Sequence, residues 1–256
     1  MKAVIDEQAE RKSRIPARMD LIQSLTGLAL GLFMWVHLIL VSSILISKDA
    51  MLWVTRMMEG SLNPAEEAGY PILPAMAAIT ILILFVVHAG LAMRKFPANW
   101  KQLKVMRKHV VRMKHGDTTQ WWIQAVTGFV MFFLGSAHLI IMASNAENIG
   151  PNLSADRFVS GGLWPLYLIL LFAVELHGAI GLYRLAVKWG IFDGKDPEKT
   201  RKRLKKAKWA ISIFFIGLGL ATFAAYVKIG LERQREGKVG IPYHIERDAA
   251  NETESD

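Results

Sequence analysis

Five stretches of this chain are long and apolar enough to cross a bilayer: residues 21–47, 72–93, 119–143, 163–187 and 207–231. A hydrocarbon core about 30 Å thick takes about 20 apolar residues of helix, and helices satisfy their own backbone there. The runs therefore predict an all-α membrane protein, a bundle of five transmembrane helices. Composition agrees, with 52% of the 256 residues hydrophobic and a positive mean hydropathy of +0.27. The first run is too long for a signal-peptide core and no small-x-small cleavage site follows it, so it is read as retained. The chain divides into an N-terminal segment, 1–20, a transmembrane domain, 21–231, and a tail, 232–256.

Charge orients the spans. Segments 1–20, 94–118 and 184–208 share one side and carry 23 Lys and Arg; segments 48–71, 144–162 and 228–256 share the other and carry 8. The positive-inside rule places the N-terminus in the cytoplasm and the C-terminus outside. The net charge of +9 is thus spread over loops between spans, and no nucleic-acid partner is expected. The basic loops suit anionic lipid or a cytoplasmic partner, and charge alone does not choose. The acidic tail DAANETESD is expected to be solvated and flexible. Pro74 and Pro165 lie near the starts of runs two and four. Asp117 or Thr118 offers an N-cap for run three, with Trp121 and Trp122 at interface depth.

Four of the seven histidines, His37, His88, His138 and His177, each stand in a different apolar run. His109 and His115 lie in a basic loop and His244 in the tail. An ionisable group inside a span is a candidate functional residue. His88 and His177 are six and seven residues before Arg94 and Arg184, which a helical rise converts to about 9–11 Å from cytoplasmic charge. His37 and His138 are 19 and 20 residues beyond Arg18 and Thr118, about 28–30 Å along the helix and in the outer half. The histidines sort into two pairs, one near each face. Two bis-histidine haems stacked across the membrane would use them in this way, because haem iron accepts neutral imidazole on both axial sides. The alternatives are hydrogen bonds between helices and a proton relay. Copper or zinc fits less well, since each level supplies two ligands and the chain has no cysteine. For the same reason it carries no disulfide and no thiolate-bound iron–sulfur cluster of its own. Gln23, Ser24, Trp121 and Lys188, at the cytoplasmic ends of runs one, three and four, and Arg157, just outside run four, are candidate partners for haem propionates. Each also suits ordinary interfacial anchoring. Beyond one histidine per span, no internal repeat is read.

Two glutamates remain. Glu59, between runs one and two, reads from its residues alone as a surface carboxylate. Glu175 lies within run four, two residues before His177. Two positions differ by about 200° around a helix, so the pair is expected to face different neighbours. Glu175 suits either proton transfer or a hydrogen bond to another span.

The stretches QSLTGLALGLFMWVH (23–37), HAGLAMRKFP (88–97), HGDTTQWWIQAVTGFVMFFLGSAH (115–138) and PLYLILLFAVELHGAIGLYRLAVKWGIFDG (165–194) resemble a known family. They are similar to the di-haem cytochrome b anchor of quinol:fumarate reductases and succinate:menaquinone oxidoreductases. The likeness covers most of residues 10–231. It implies that His37 and His138 ligate a distal haem b and His88 and His177 a proximal one. It implies oxidation of menaquinol, or reduction of menaquinone, near the outer face. Glu59 would accept quinol protons, and Glu175 would conduct protons across the membrane. The expected partners are an iron–sulfur subunit and a flavoprotein subunit that interconvert fumarate and succinate, in a dimer of heterotrimers in the bacterial inner membrane. The fumarate site would lie outside this chain. A cytochrome b serving a hydrogenase or formate dehydrogenase and a haem-free proton-coupled transporter are the competing readings.

Overall fold

A computed structural model describes residues 13–65, 67–113 and 116–255. Most of the N-terminal segment and His115 therefore lie outside the described residues. The helices are α1 Ile15–Val41, α2 Lys48–Met58, α3 Ile72–Met93, α4 Trp100–Met113, α5 Gly116–Ser144, α6 Pro151–Val159, α7 Trp164–Trp189, α8 Pro197–Arg235 and α9 Tyr243–Ser255. A 3-10 turn, Ser42–Leu45, prolongs α1. Five helices have the length and composition of membrane spans: α1 with its 3-10 extension, α3, α5, α7 and α8.

Four of these spans close a ring. The main packing runs from α1 to α3, α3 to α5, α5 to α7 and α7 back to α1, and α8 lies outside against α7. Consequently α1 faces α5 across one diagonal and α3 faces α7 across the other. Those four helices are the ones that carry His37, His88, His138 and His177. The shorter α2 and α6 pack together at one end, beside the 3-10 turn and α8.

Helix limits follow local chemistry rather than hydropathy. Proline stands in the first turn of α1, α7 and α8, where its missing N–H has no intrahelical partner to lose. The Asp196 side chain caps α8 by accepting from the N–H groups of Glu198 and Lys199, each at 3.1 Å. Gly190, at φ +63°, ends α7 in the left-handed conformation. With that cap, α8 begins at Pro197, well before the apolar run at 207. Its lysines and arginines are good helix formers, and hydropathy marks only where the helix meets lipid.

One local expectation is corrected. Asp117 and Thr118 lie inside α5, which begins at Gly116, and neither is its N-cap. The Asp117 carboxylate instead pairs with Lys205 of α8 at 2.8 Å. The tail contains a helix, α9. Glu246 of α9 accepts from Asn152 of α6 at 2.7 Å and from Arg233 of α8 at 2.9 Å. Arg233 is buried and also holds both oxygens of Asp156, at 2.9 and 3.1 Å. A charge this buried needs such partners, and they fasten α6, α8 and α9 together.

Candidate functional site

The four span histidines meet in two pairs across the diagonals of the ring. The ring centroids of His37 and His138 are 6.3 Å apart, with planes inclined at 56°. Those of His88 and His177 are 6.4 Å apart, with planes at 83°. His88 lies beside Gly27 and His177 beside Gly128, ten residues before His37 and His138 on the same helices. Helical rise then separates the two levels by about 15 Å.

Either separation suits one metal atom held by a nitrogen of each ring, at about 2 Å per bond. The surroundings fit a flat prosthetic group. All four histidines are only half-buried although they lie within spans. Helix α5 packs against α3 and α7, yet among its described residues only Gly135 is buried.

Hydrogen bonds fix the tautomer of one pair. His88 Nδ1 lies 3.1 Å from the backbone oxygen of Gln23, and His177 Nδ1 lies 2.9 Å from that of Gln124. A carbonyl oxygen only accepts, so each Nδ1 carries the proton and each Nε2 keeps its lone pair for a metal. The other pair is held differently. His37 stacks on Phe33 at 5.6 Å, and His138 meets Tyr167 edge-on at 5.5 Å. His138 Nδ1 is buried without a hydrogen-bond partner.

Of the candidate propionate partners, Gln23, Ser24 and Lys188 gather at the end near His88 and His177. Lys188 Nζ donates to Ser24 Oγ at 3.4 Å and lies 3.7 Å from an Asp20 oxygen. The buried Gln23 Oε1 has no partner, and turning the amide would present its NH2 group to a carboxylate there. Trp121 lies on α5 beside Trp122, with centroids 6.3 Å apart. Arg157 stands at the opposite end on α6, where it donates to the backbone oxygen of Asn148 at 2.7 Å. The structure does not bring it together with the other four.

The residue-level expectation of a surface Glu59 is corrected: its relative exposure is 8%. Glu59 caps the C-terminus of α2, and Gly69 packs directly on its backbone and Cβ. The Tyr70 N–H donates to the Glu59 carbonyl at 2.7 Å, clamping that fold-back in place. Burial pushes the Glu59 carboxyl above the usual carboxylate range, and the Gly69 N–H and the nearby Arg56 charge offset this in part. Glu175 is fully buried on the side of α7 away from His177. Its Oε2 accepts from Trp35 Nε1 at 3.2 Å, Oε1 has no hydrogen-bond partner, and Ser212 of α8 lies close to the carboxyl.

Comparison with known proteins decides between the readings. The profile of the "Succinate dehydrogenase/Fumarate reductase transmembrane subunit" family matches residues 93–219. The fumarate reductase cytochrome b subunit of Wolinella succinogenes is 57% identical over 223 residues, covering 87% of this chain and 86% of that protein. The fumarate reductase cytochrome b subunit of Helicobacter pylori is 52% identical over 238 residues, covering 93% and 91%. The chain belongs to the fumarate reductase cytochrome b subunit family.

In this cytochrome b subunit, sequence reasoning missed the partner of His177, the Gln124 carbonyl, and with it an internal repeat. QSLTGLALGLFMWVH (23–37) and QAVTGFVMFFLGSAH (124–138) coincide at four of fifteen positions: the glutamine, threonine, glycine and histidine of Q-x2-T-G-x9-H. Mostly apolar residues fill the rest and hide the pattern. In the ring, the two copies are α1 and α5, facing each other across a diagonal. Each copy sets its glycine and its glutamine carbonyl against the histidine of a neighbouring helix, α3 for α1 and α7 for α5.

Proposed function

We propose that this chain is the quinol-reactive, electron-carrying membrane anchor of a fumarate reductase, with two bis-histidine b haems. The observation that carries the reading is the pair of imidazole couples, 6.3 and 6.4 Å apart, at two levels of one helix ring. His37 and His138 hold the distal iron; His88 and His177 hold the proximal iron. Gln23, Ser24, Trp121 and Lys188 bind propionates at the proximal end, and Arg157 serves the distal end. When bound, the haems relay single electrons between menaquinol near the outer face and an iron–sulfur subunit in the cytoplasm. That subunit serves a flavoprotein that reduces fumarate. The family's reaction also runs from succinate to menaquinone. The orientation, with the N-terminus in the cytoplasm of a bacterial cell and the C-terminus outside, rests on the loop charges.

The chain's own groups manage protons and geometry. Removing two electrons from menaquinol releases two protons. Glu59, at the end of α2 outside the spans, takes them one at a time and releases each to outer water; its buried carboxylate with a raised proton affinity is matched to that task. Glu175, fully buried and held by Trp35, carries protons within the membrane on a face separate from the iron ligands. The haem assignment is tested by His138→Ala: one haem should be lost and the other retained. A variant with both haem spectra intact contradicts it.

A further inference from the structure

We propose that Gly27 with Thr26, and Gly128 with Thr127, are positioning residues that seat one proximal histidine each against the backbone of the neighbouring helix. The proposal rests on the reading that His88 and His177 hold iron. A Cβ placed on Gly27 would stand 2.8 Å from His88 Cε1 and 3.3 Å from its Nδ1. On Gly128 it would stand 2.8 Å from His177 Cε1 and 3.1 Å from its Nδ1. Comfortable contacts between non-bonded carbons are about 3.5–4.0 Å, so even alanine would force either ring to move.

The glycines are placed where the backbone must be reached. Gln23 and Gln124, whose carbonyls take the Nδ1 protons, lie four residues before Gly27 and Gly128. A helical carbonyl already accepts the N–H four residues on. A donor from a neighbouring helix approaches it along the groove that a side chain at that later position would fill. Glycine leaves that groove open, and the imidazole lies in it.

Threonine tunes the same carbonyl. Thr26 Oγ1 donates to the Ile22 oxygen at 2.8 Å and lies 3.2 Å from the Gln23 oxygen. Thr127 Oγ1 repeats this with Ile123 at 2.8 Å and Gln124 at 3.2 Å. Thr26 Oγ1 also lies 3.2 Å from His88 Nδ1 itself, so Thr127 is the cleaner case. Its hydroxyl competes with the histidine for one carbonyl. A stronger Nδ1 hydrogen bond makes the imidazole a more basic ligand, and hydrogen bonding beyond the ligands tunes the potential of a bound haem.

General packing of small residues does not account for this. Gly31 and Gly178 face the apolar side chains of Leu182 and Met34. A Cβ on Gly90, only two residues from His88, would meet nothing within 4 Å. Two helices that share four positions in fifteen nonetheless build the same three contacts.

The test uses the whole complex purified from membranes, with haem counted per chain and each haem titrated potentiometrically. The wild type should hold two haems. Gly27→Ala and Gly128→Ala should each halve the haem content, losing the haem that His88→Ala also loses, although alanine is the better helix former. Gly90→Ala should keep both. Thr127→Val should keep both haems and lower the midpoint potential of one, because His177 then no longer shares the Gln124 carbonyl with a hydroxyl. Two haems with wild-type potentials in Gly128→Ala and Thr127→Val overturn the proposal; if the alanine variants fail to accumulate, unchanged potentials in Thr127→Val do so by themselves. A wild type with fewer than two haems overturns the functional reading and this proposal together. Two haems in the wild type with unaffected variants overturn this proposal alone.

Discussion

Around His88 and His177, neighbouring helices supply a carbonyl to each Nδ1 and a glycine beside each ring. Around His37 and His138 the contacts are aromatic, and the His138 Nδ1 has no partner. The two ends of the bundle differ in the same sense. Near His88, Asp20 pairs with Arg94 and Lys95 at 3.1 and 3.0 Å, all of them between 29% and 46% exposed. At the far end, Arg233 and Asp156 pair at 2.9 Å with 3% and 8% exposure. One half fixes its histidines through backbone and holds Asp20, Arg94 and Lys95 in exposed pairs, although Lys208 nearby is buried. The other packs its histidines against rings and buries the Arg233–Asp156 pair. A pair of imidazoles can thus be held by backbone carbonyls of neighbouring helices or by aromatic packing. Each design predicts where damage should travel.

The largest difference should come from the two glutamates, Glu59 outside the spans and Glu175 within α7. Glu59→Gln should slow quinol oxidation by roughly 10²–10⁴-fold, the usual contribution of a positioned base, with both haems retained. Its acceptor form is the carboxylate, and burial raises its proton affinity. Wild-type turnover should therefore fall as pH drops through a value above the ordinary glutamate range. The glutamine variant should lose that limb of the pH profile, and an unchanged profile would remove the proton role. Glu175→Gln should keep both haems and electron transfer from quinol but abolish the proton movement across proteoliposomes that accompanies turnover. Undiminished movement would leave Glu175 as a hydrogen-bonded packing residue.

Stability variants sharpen the comparison of the two ends. Arg233→Ala strands the buried Asp156 and frees Glu246 from its main anchor, so a loss of about 3–5 kcal/mol is expected. Asp20→Asn removes only exposed pairs, for which about 0–1 kcal/mol is expected. Denaturation followed at each haem band checks both. Equal losses would mean that the two ends are not built differently.

The spans were legible because a bilayer accepts few solutions: length and hydropathy located all five. The partnering of His37 with His138 and of His88 with His177 was also legible, since helical rise turns sequence position into depth. What stayed hidden was made by tertiary contact. Nothing local to Glu59 announces its burial, which comes from Gly69 and Tyr70 folding back onto the end of α2. The ordering of α9 depends on Arg233 and Asn152, far away in sequence. The repeat in α1 and α5 escaped notice because its four shared positions are functional contacts diluted in lipid-compatible residues. Only the matching hydrogen bonds at Gln23 and Gln124 make it plain.

The central claim is that one chain holds two bis-histidine haems at two levels of a single helix ring. The most direct measurement is haem content per chain in the purified complex, with the reduced-minus-oxidised absorption spectrum resolved into components. The account predicts two b haems per chain, with His37→Ala and His88→Ala each removing a different one. One haem per chain, or the same component lost in both variants, would contradict it.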